Sequence, residues 1–201
     1  GHQARQLQRS LADGKDAMNP GSAYGLAAHA LLLGALASLL PTGARRQQIA
    51  LATTAIAMIG IAPGLHGAFG APSFTLLQLA LLQLSRRRPG LLDWRVAAAI
   101  VGTALVVYPL ALGLGPVDPY ALGYRPLPLL AALLPLGAVL AWRRQEVWLL
   151  LLAGDCLAYA LGIFGNLWDA LLDPLLVLLA GYVLLRHRWT RRPERQETFG
   201  L

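Results

Sequence analysis

The stretch GNLWDALLDPLLVLLAGYVLLRHRWTRR, residues 165–192, joins an apolar run to a basic end. The run at 167–186 has about the 20 residues that a membrane-spanning helix needs. Arginines follow it directly, which is typical of the cytoplasmic end of a span. Two acids, Asp169 and Asp173, lie at its other end. The stretch therefore predicts a transmembrane helix with acidic side chains at its entrance.

The composition extends this interpretation to the whole chain. Of its 201 residues, 56% are hydrophobic and only 13% are charged, whereas a soluble domain carries about 25% charged residues. The single cysteine, Cys156, excludes an internal disulfide and a cysteine-based metal cluster. The net charge of +7 comes from short arginine clusters between apolar runs, a pattern that favours the lipid bilayer as partner and argues against nucleic acid.

Seven apolar segments follow one another along the chain, and each is a candidate transmembrane helix. They lie at about 21–41, 47–65, 72–85, 94–114, 127–142, 146–164 and 167–186. The third and fifth are short, and Pro128 and Pro135 should bend the fifth, so either can be a half-helix or a re-entrant piece. The predicted fold is all-α, a polytopic integral membrane bundle of six to seven transmembrane helices. A polar arm at 1–20 and a basic cytoplasmic tail at 187–201 should flank the bundle at 21–186.

The arginines predict the orientation of the bundle. Most of the 17 basic residues follow the first, third, fifth and seventh segments, and the loops on the other side contain only Arg125. Because basic residues in short loops stay in the cytoplasm, we expect a multi-pass chain in a bacterial cytoplasmic (inner) membrane with its C-terminus inside. The same clusters should attract anionic lipid headgroups. They are Arg45–Arg46, Arg86–Arg88, Arg143–Arg144 and the series Arg186, Arg188, Arg191, Arg192 and Arg195.

The two acids near the last segment have a structural interpretation. Asn166 is a suitable N-cap for a helix that carries Asp169 in its first turn, where a negative charge favours the helix dipole. A regular helix can also start at Pro174, an allowed first position, with Asp173 as its cap. Helix capping then explains both acids without any function.

A functional interpretation follows from depth in the bilayer. Asp155 and Asp173 would lie roughly 12–15 Å below the outer edge in regular helices, and His29 would lie at a similar depth. A carboxylate there without a partner costs about 2.5–3.5 kcal/mol, and the predicted spans contain no lysine or arginine away from their ends to pair with it. These three residues are therefore candidates for a proton or cation relay.

The alternative for these buried acids is again structural. Capping, together with buried hydrogen bonds to Ser22, Tyr159 or backbone carbonyls, would satisfy them without a relay. In the short third segment, Gln78 and Gln83 are expected to form hydrogen bonds with neighbouring helices.

Polar side chains also gather in the predicted outer loops. The loop GLGPVDPYALGYRP, residues 113–126, is rich in turn-forming residues and carries four candidates for binding a ligand or partner, Asp118, Tyr120, Tyr124 and Arg125. His66, in a glycine-rich loop, and Asp169 complete this outer set. The chain contains no phosphate-cradling glycine loop, zinc-protease motif or nucleophile elbow, so we expect no metal and no cofactor.

Three functions fit these features. The first, favoured by the shortage of buried polar groups, is a non-catalytic accessory or scaffold subunit of a cell-envelope system, which would contact another envelope membrane protein. The second is a proton- or cation-coupled transporter that uses His29, Asp155 and Asp173. The third is an intramembrane enzyme that acts on a lipid-linked substrate at the outer face, with Asp118 and Asp169 among its acid–base candidates beside His66.

The transporter hypothesis makes a further structural prediction. Transporters carry interrupted helices near the middle of the membrane, and prolines can interrupt a helix because they lack the N–H donor. Possible breaks lie at Pro63, Pro109, Pro135 and Pro174.

Overall fold

The computed structural model describes residues 20–85 and 92–190, and within these ranges all regular secondary structure is helical. The expectation of an all-α fold is therefore confirmed for the described residues. Their α-helices are α1 (Pro20–Ala37), α2 (Arg46–Gly60), α3 (Ala62–Phe69), α4 (Phe74–Leu84), α5 (Trp94–Ala111), α6 (Pro126–Trp142), α7 (Glu146–Ala160), α8 (Leu167–Leu171) and α9 (Pro174–Thr190). Short 3₁₀ turns at Gly43–Arg45 and Tyr120–Gly123 precede α2 and α6.

Most of the helices are shorter than the apolar segments that predict them. Within the described ranges, only α5, with 18 residues, and the 24-residue stretch Leu167–Thr190 are long and apolar enough to cross a bilayer. A third candidate is the pair Gly43–Gly60 and Ala62–Phe69, which bends by 66° at its break. The structure thus gives two or three candidate spans by length and composition, and the six to seven predicted ones are not confirmed.

Prolines explain two of the breaks. Pro63 lies in the first turn of α3, just after α2 ends, and Pro174 is the first residue of α9. A proline at either position cannot donate to the preceding turn and crowds its carbonyl. In contrast, Pro109 and Pro135 lie inside α5 and α6, which continue through them. Two of the four predicted breaks are therefore present and two are absent.

The structure describes only part of the predicted N-terminal arm and of the predicted basic tail. Helix α1 begins at Pro20, and α9 continues to Thr190, so the first residues of the predicted basic tail are helical. The remainder of the N-terminal arm and of the tail lies outside the described residues, as does the arginine cluster Arg86–Arg88.

The short helix α4 occupies the centre of the fold. It packs against α1, α7, α8 and α9, and the 11-residue helix buries Leu76, Leu77, Leu79 and Ala80 along with Thr75. At about 1.5 Å per residue, α4 covers roughly half of the ~30 Å hydrocarbon layer. It is therefore a core element that depends on its neighbours. Two of its buried leucines, Leu76 and Leu79, share one apolar cluster with Leu151 of α7, Ala104 of α5, Leu172 in the α8–α9 break and Leu176 of α9.

Gly154 allows α7 to approach α4. A Cβ at this position would lie 2.5 Å from Oε1 of Gln78 on α4, which is closer than real side chains approach. The Gln78 side chain cannot move away freely, because its amide nitrogen donates to Leu151 O at 3.0 Å and to Asp155 Oδ1 at 2.9 Å. A glycine is thus needed where the two helices meet.

We predict that Gly154→Ala lowers the stability of the protein by about 1–3 kcal/mol, because the added methyl overpacks this contact. The matched control is Gly137→Ala on α6, where a Cβ would meet its nearest neighbours at 3.9 Å and alanine favours the helix. Thermal unfolding in mild detergent, followed by tryptophan fluorescence, should show a lower Tm for the first variant only. Equal Tm values for the two variants would contradict the close approach.

Candidate functional site

Helix α4 binds the side chain of Asp155. Thr75 Oγ1 donates to Asp155 Oδ2 at 2.7 Å, and Gln78 Nε2 donates to Asp155 Oδ1 at 2.9 Å. Thr75 and Gln78 lie three residues apart, so they share one face of α4. Asp155 is 2% exposed, and each of its carboxylate oxygens accepts a hydrogen bond. These bonds reduce the cost of burying the acid in the bundle.

Asp173 joins the N-terminal ends of two helices. Its Oδ1 accepts from the backbone N–H of Leu176 at 2.7 Å and so caps α9, while Oδ2 accepts from the N–H of Ser73 at 2.9 Å. Ser73 is itself the N-cap of α4, since its hydroxyl accepts from Leu76 N at 3.3 Å. The positive ends of both helix dipoles therefore face the same carboxyl group.

The capping interpretation of the sequence is confirmed at two positions. Asn166 Oδ1 accepts from the N–H of Trp168 at 2.9 Å and caps α8, and Asp173 caps α9 directly before Pro174. The stretch that predicts one transmembrane helix is therefore a short entry helix followed by a longer one. The break between them lies at Leu172 and the capping aspartate.

The partners of Asp155 were only partly foreseen. The expected hydrogen bond from Gln78 to a neighbouring helix is confirmed, and Asp155 also accepts a hydrogen bond from Thr75. The signal in the sequence is the spacing of polar residues in the third segment, where Thr75 and Gln78 fall on one helical face. Sequence reasoning did not assign a role to Thr75 or to Ser73.

His29 pairs with His66 and forms no hydrogen bond to the acids. The His29 Nδ1 lies 2.8 Å from the carbonyl oxygen of Gly25, so this nitrogen must donate. The imidazole of His66, on α3, lies over Gly25 with its ring centroid 6.2 Å from that of His29. His29 Nε2 and His66 Nδ1 are both buried without a hydrogen-bond partner among the described residues. The predicted relay set therefore separates into two acids held by α4 and a histidine pair between α1 and α3.

Tyr120 connects several of the residues that the sequence assigns to outer loops. Its backbone N–H donates to Asp118 Oδ1 at 2.9 Å, and its hydroxyl donates to Asp169 Oδ1 at 2.8 Å. The side-chain amide of Asn166 donates to Tyr120 O at 3.1 Å, and the ring of Tyr124 meets the Tyr120 ring edge-on at 5.7 Å. The structure thus brings together four of the six outer residues that the sequence selects, because Tyr120 contacts the other three.

The remaining outer candidates lie apart from this cluster. Arg125 is exposed in front of α6 and makes no side-chain cap there. His66 packs against Gly25 and has no hydrogen bond to Asp118 or Asp169 in the described part of the chain. The acid–base set proposed for an enzyme is therefore not assembled around one point.

The Tyr120 hydroxyl keeps its proton at neutral pH. Burial, followed by the hydrogen bond to Asp169, raises the pKa of the Tyr120 phenol above its ordinary value. A phenol with a raised pKa stays protonated up to a higher pH. Tyr120 therefore acts as a hydrogen-bond donor to Asp169.

A cavity of about 330 Å³ opens beside this cluster, between the ends of α3 and α5 and the α8–α9 break. We call it the outer cavity. Its lining includes the carboxyl groups of Asp169 and Asp173 and five aromatic rings, those of Phe69, Tyr108, Tyr120, Phe164 and Trp168. The Tyr108 hydroxyl is buried and has no hydrogen-bond partner among the described residues.

The side chains that the structure describes offer no ready metal centre. Between residues 20 and 85 and between 92 and 190, no group of three or more histidine, cysteine or acidic side chains is placed to hold a metal ion. No family model, curated protein or solved structure matches this chain in comparisons with known proteins.

We predict that Asp173→Ala lowers the free energy of unfolding by about 1–3 kcal/mol, because α9 loses its cap and the Ser73 N–H loses its acceptor. Asp173→Asn keeps one carbonyl oxygen as an acceptor and should fall between the wild type and the alanine variant. Titration with a denaturing detergent after purification would measure this order.

The control for this series is Glu146→Gln, which changes an exposed acid at the start of α7. Its stability should stay within about 0.5 kcal/mol of the wild type. If the two Asp173 variants were as stable as this control, Asp173 would not join α4 to α9.

Proposed function

We propose that this chain is a small polytopic protein of the bacterial inner membrane that serves as a non-catalytic accessory or scaffold subunit of a cell-envelope system. The observation that carries the proposal is the hydrogen bonding of Asp155 and Asp173 to α4. The two acids that the relay would need for chemistry are instead committed to holding helices together. The polar groups of the interior thus serve the architecture.

Exposed apolar side chains support a lipid environment. The outward faces of the helices carry Ile59 at 86% exposure, Leu134 at 72%, Leu105 at 70% and Leu178 at 68%. Soluble monomers rarely expose large contiguous apolar patches, whereas lipid tails solvate such faces. The proposed topology keeps six to seven membrane crossings, some of them short or bent. The crossing elements are α1, α2–α3, α4, α5, α6, α7 and α8–α9.

Contacts between the loops support the proposed outer side. The Tyr24 hydroxyl donates to Pro72 O at 2.8 Å and joins the start of α1 to the α3–α4 loop. Asn166 donates to Tyr120 O and joins the α7–α8 loop to the α5–α6 loop. The topology that the arginines predict places all four segments on the outer side of the membrane. Each of the two hydrogen bonds therefore joins segments that are predicted to lie on the same side.

Contacts at the other end support the proposed cytoplasmic side. Trp94 at the start of α5 stacks on His187 near the end of α9, with ring centroids 5.1 Å apart. Gln83 at the end of α4 donates to Ser38 after α1 at 3.4 Å. These four residues border the arginine clusters. The contacts are thus consistent with one basic side, and with the cytoplasmic C-terminus and bound anionic lipid headgroups that we propose.

The outer loop supports a docking role. Between α5 and α6, the chain exposes Leu114 at 77%, Val117 at 61% and Tyr124 at 61%. The hydrogen bonds of Tyr120 hold this loop to α8, so the apolar side chains stand on a fixed support. We propose that they contact another membrane protein of the cell envelope, since aromatic and aliphatic anchors on a rigid base suit protein interfaces.

The transporter remains a second candidate because of one observation. The unpartnered nitrogens of His29 and His66 lie between α1 and the bent helix α3, and interrupted helices occur at transport sites. Charge attraction links His29 to Asp173, but this pair has no hydrogen bond to either acid in the described part of the chain, since Asp155 and Asp173 accept theirs from other groups. The accessory role therefore fits more of the contacts.

We predict opposite exposure for two loops in cells. In a Cys156→Ala background, Asp118→Cys in the α5–α6 loop should react with a membrane-impermeant maleimide in spheroplasts. Arg143→Cys, between α6 and α7, should react only after permeabilisation, because basic loops stay in the cytoplasm. Arg188→Cys serves as the control that must behave like Arg143→Cys. Labelling of the two arginine positions from opposite sides would overturn the topology.

We also predict that the protein, purified from its native membrane in mild detergent, retains a stoichiometric partner identified by mass spectrometry. The double variant Leu114→Ser and Val117→Ser should lose this partner, because two apolar anchors become polar. The control Leu105→Ala changes a comparably exposed side chain on α5 outside the loop and should retain it. A wild-type protein that purifies alone, or a loop variant that keeps its partner, would contradict the docking role.

A further inference from the structure

We propose that the outer cavity binds an alkylammonium group, a protonated amine on a short carbon chain. The ligand class can come from two sources, the ethanolamine headgroup of a membrane lipid or a free small amine. The shared chemistry is a cation with N–H donors and an adjoining apolar surface. The lining of the cavity supplies a complement for each of these parts.

The carboxyl groups give the cavity its charge preference. Asp169 and Asp173 both line it, and none of its lining residues is a lysine, arginine or histidine. Neither acid forms an ion pair within the described residues. An anion would meet two acids without a balancing cation, whereas an ammonium group would neutralise them in surroundings where charge attraction is strong.

Unused hydrogen-bonding capacity points to N–H donors. Asp169 uses Oδ1 for the Tyr120 hydroxyl and has no hydrogen bond at Oδ2 among the described residues. The Tyr108 hydroxyl is buried and unpartnered, although buried polar groups normally have partners. An ammonium group in the cavity can donate directly to Asp169 Oδ2, and it can donate to the Tyr108 hydroxyl, which solvent does not reach in this structure, after a shift of that side chain. A quaternary ammonium ion lacks the N–H donors and would leave both unsatisfied.

The aromatic walls and the volume of the cavity fit the short carbon chain of the amine. Five aromatic rings line the cavity, and aromatic faces attract cations through the ring quadrupole while they pack against carbon chains. A volume of about 330 Å³ lies at the lower end of the range for small-molecule sites. A metal ion fits less well, since the described part of the chain presents no cluster of three suitable ligands.

The proposal is tested by ligand-dependent thermal stability of the full chain in a detergent free of amines. Ethanolamine hydrochloride should raise Tm by about 3–6 °C at ten times its Kd, because a ligand that binds only the folded state stabilises it. Tetramethylammonium chloride and sodium chloride at the same ionic strength should raise it much less. A tetramethylammonium effect as large as that of ethanolamine, or no effect of either amine, would overturn the proposal.

Variants show whether the shift arises in the outer cavity. Asp169→Asn removes the negative charge but keeps an acceptor for Tyr120, and Tyr108→Phe removes the unpartnered hydroxyl. Each should weaken ethanolamine binding at least about tenfold, since each removes a polar partner of a desolvated cation. The control Glu146→Gln removes an exposed acid at the start of α7 that does not line the cavity and should leave binding unchanged. Unchanged binding in both cavity variants would place the amine elsewhere.

Nanodiscs distinguish the two sources of the amine. One set contains phosphatidylethanolamine with phosphatidylglycerol, and the other contains phosphatidylglycerol alone. If the lipid headgroup occupies the cavity, ethanolamine should raise Tm less in the first set, because the site is already filled. If a free amine is the ligand, the rise should be the same in both sets. Absence of any rise in both sets, together with none in detergent, would contradict the proposal.

Discussion

The structure depends on a buried helix that supplies hydrogen-bond donors to two acids. Helix α4 offers a hydroxyl, a side-chain amide and a backbone N–H to Asp155 and Asp173. Buried carboxyl groups without donors are strongly unfavourable, so α7 and α9 must keep their positions relative to α4. The shortness of α4 makes this possible, because its polar first turn can end inside the bundle where the partner helices surround it.

The same contacts connect the interior to the outer cavity and to the residues around Tyr120. Asp173 caps α9, binds the residue that caps α4 and also lines the outer cavity. The break that it forms with Pro174 separates α8 from α9, and the side chains of Asp169 and Trp168 on α8 form hydrogen bonds with the α5–α6 loop. The hydrogen bonds of Asp173 in the core therefore determine where Asp169 meets Tyr120.

Local features could be predicted from the sequence, and distant ones could not. Asn166 and Asp173 act on backbone groups two or three residues away, so capping rules identify them. The partner of Asp155 lies 80 residues away in the chain, and apolar periodicity carries no information about that pairing. His29 and His66 meet because α3 bends by 66° relative to α2. A proline predicts that a bend occurs, but its direction depends on packing.

Hydrogen-bond capacity separates the acids by role. Asp155 accepts at both oxygens from side chains of α4 and does not line the outer cavity, so it has little left to offer a ligand. Asp169 accepts at one oxygen, is partly exposed and lines the outer cavity beside an unpartnered tyrosine hydroxyl. A carboxylate can accept several hydrogen bonds. A ligand therefore gains most from a carboxylate that lines a cavity and still has a free acceptor oxygen. The acids deepest in the fold are therefore structural, and the chemistry available to a ligand lies at the outer end.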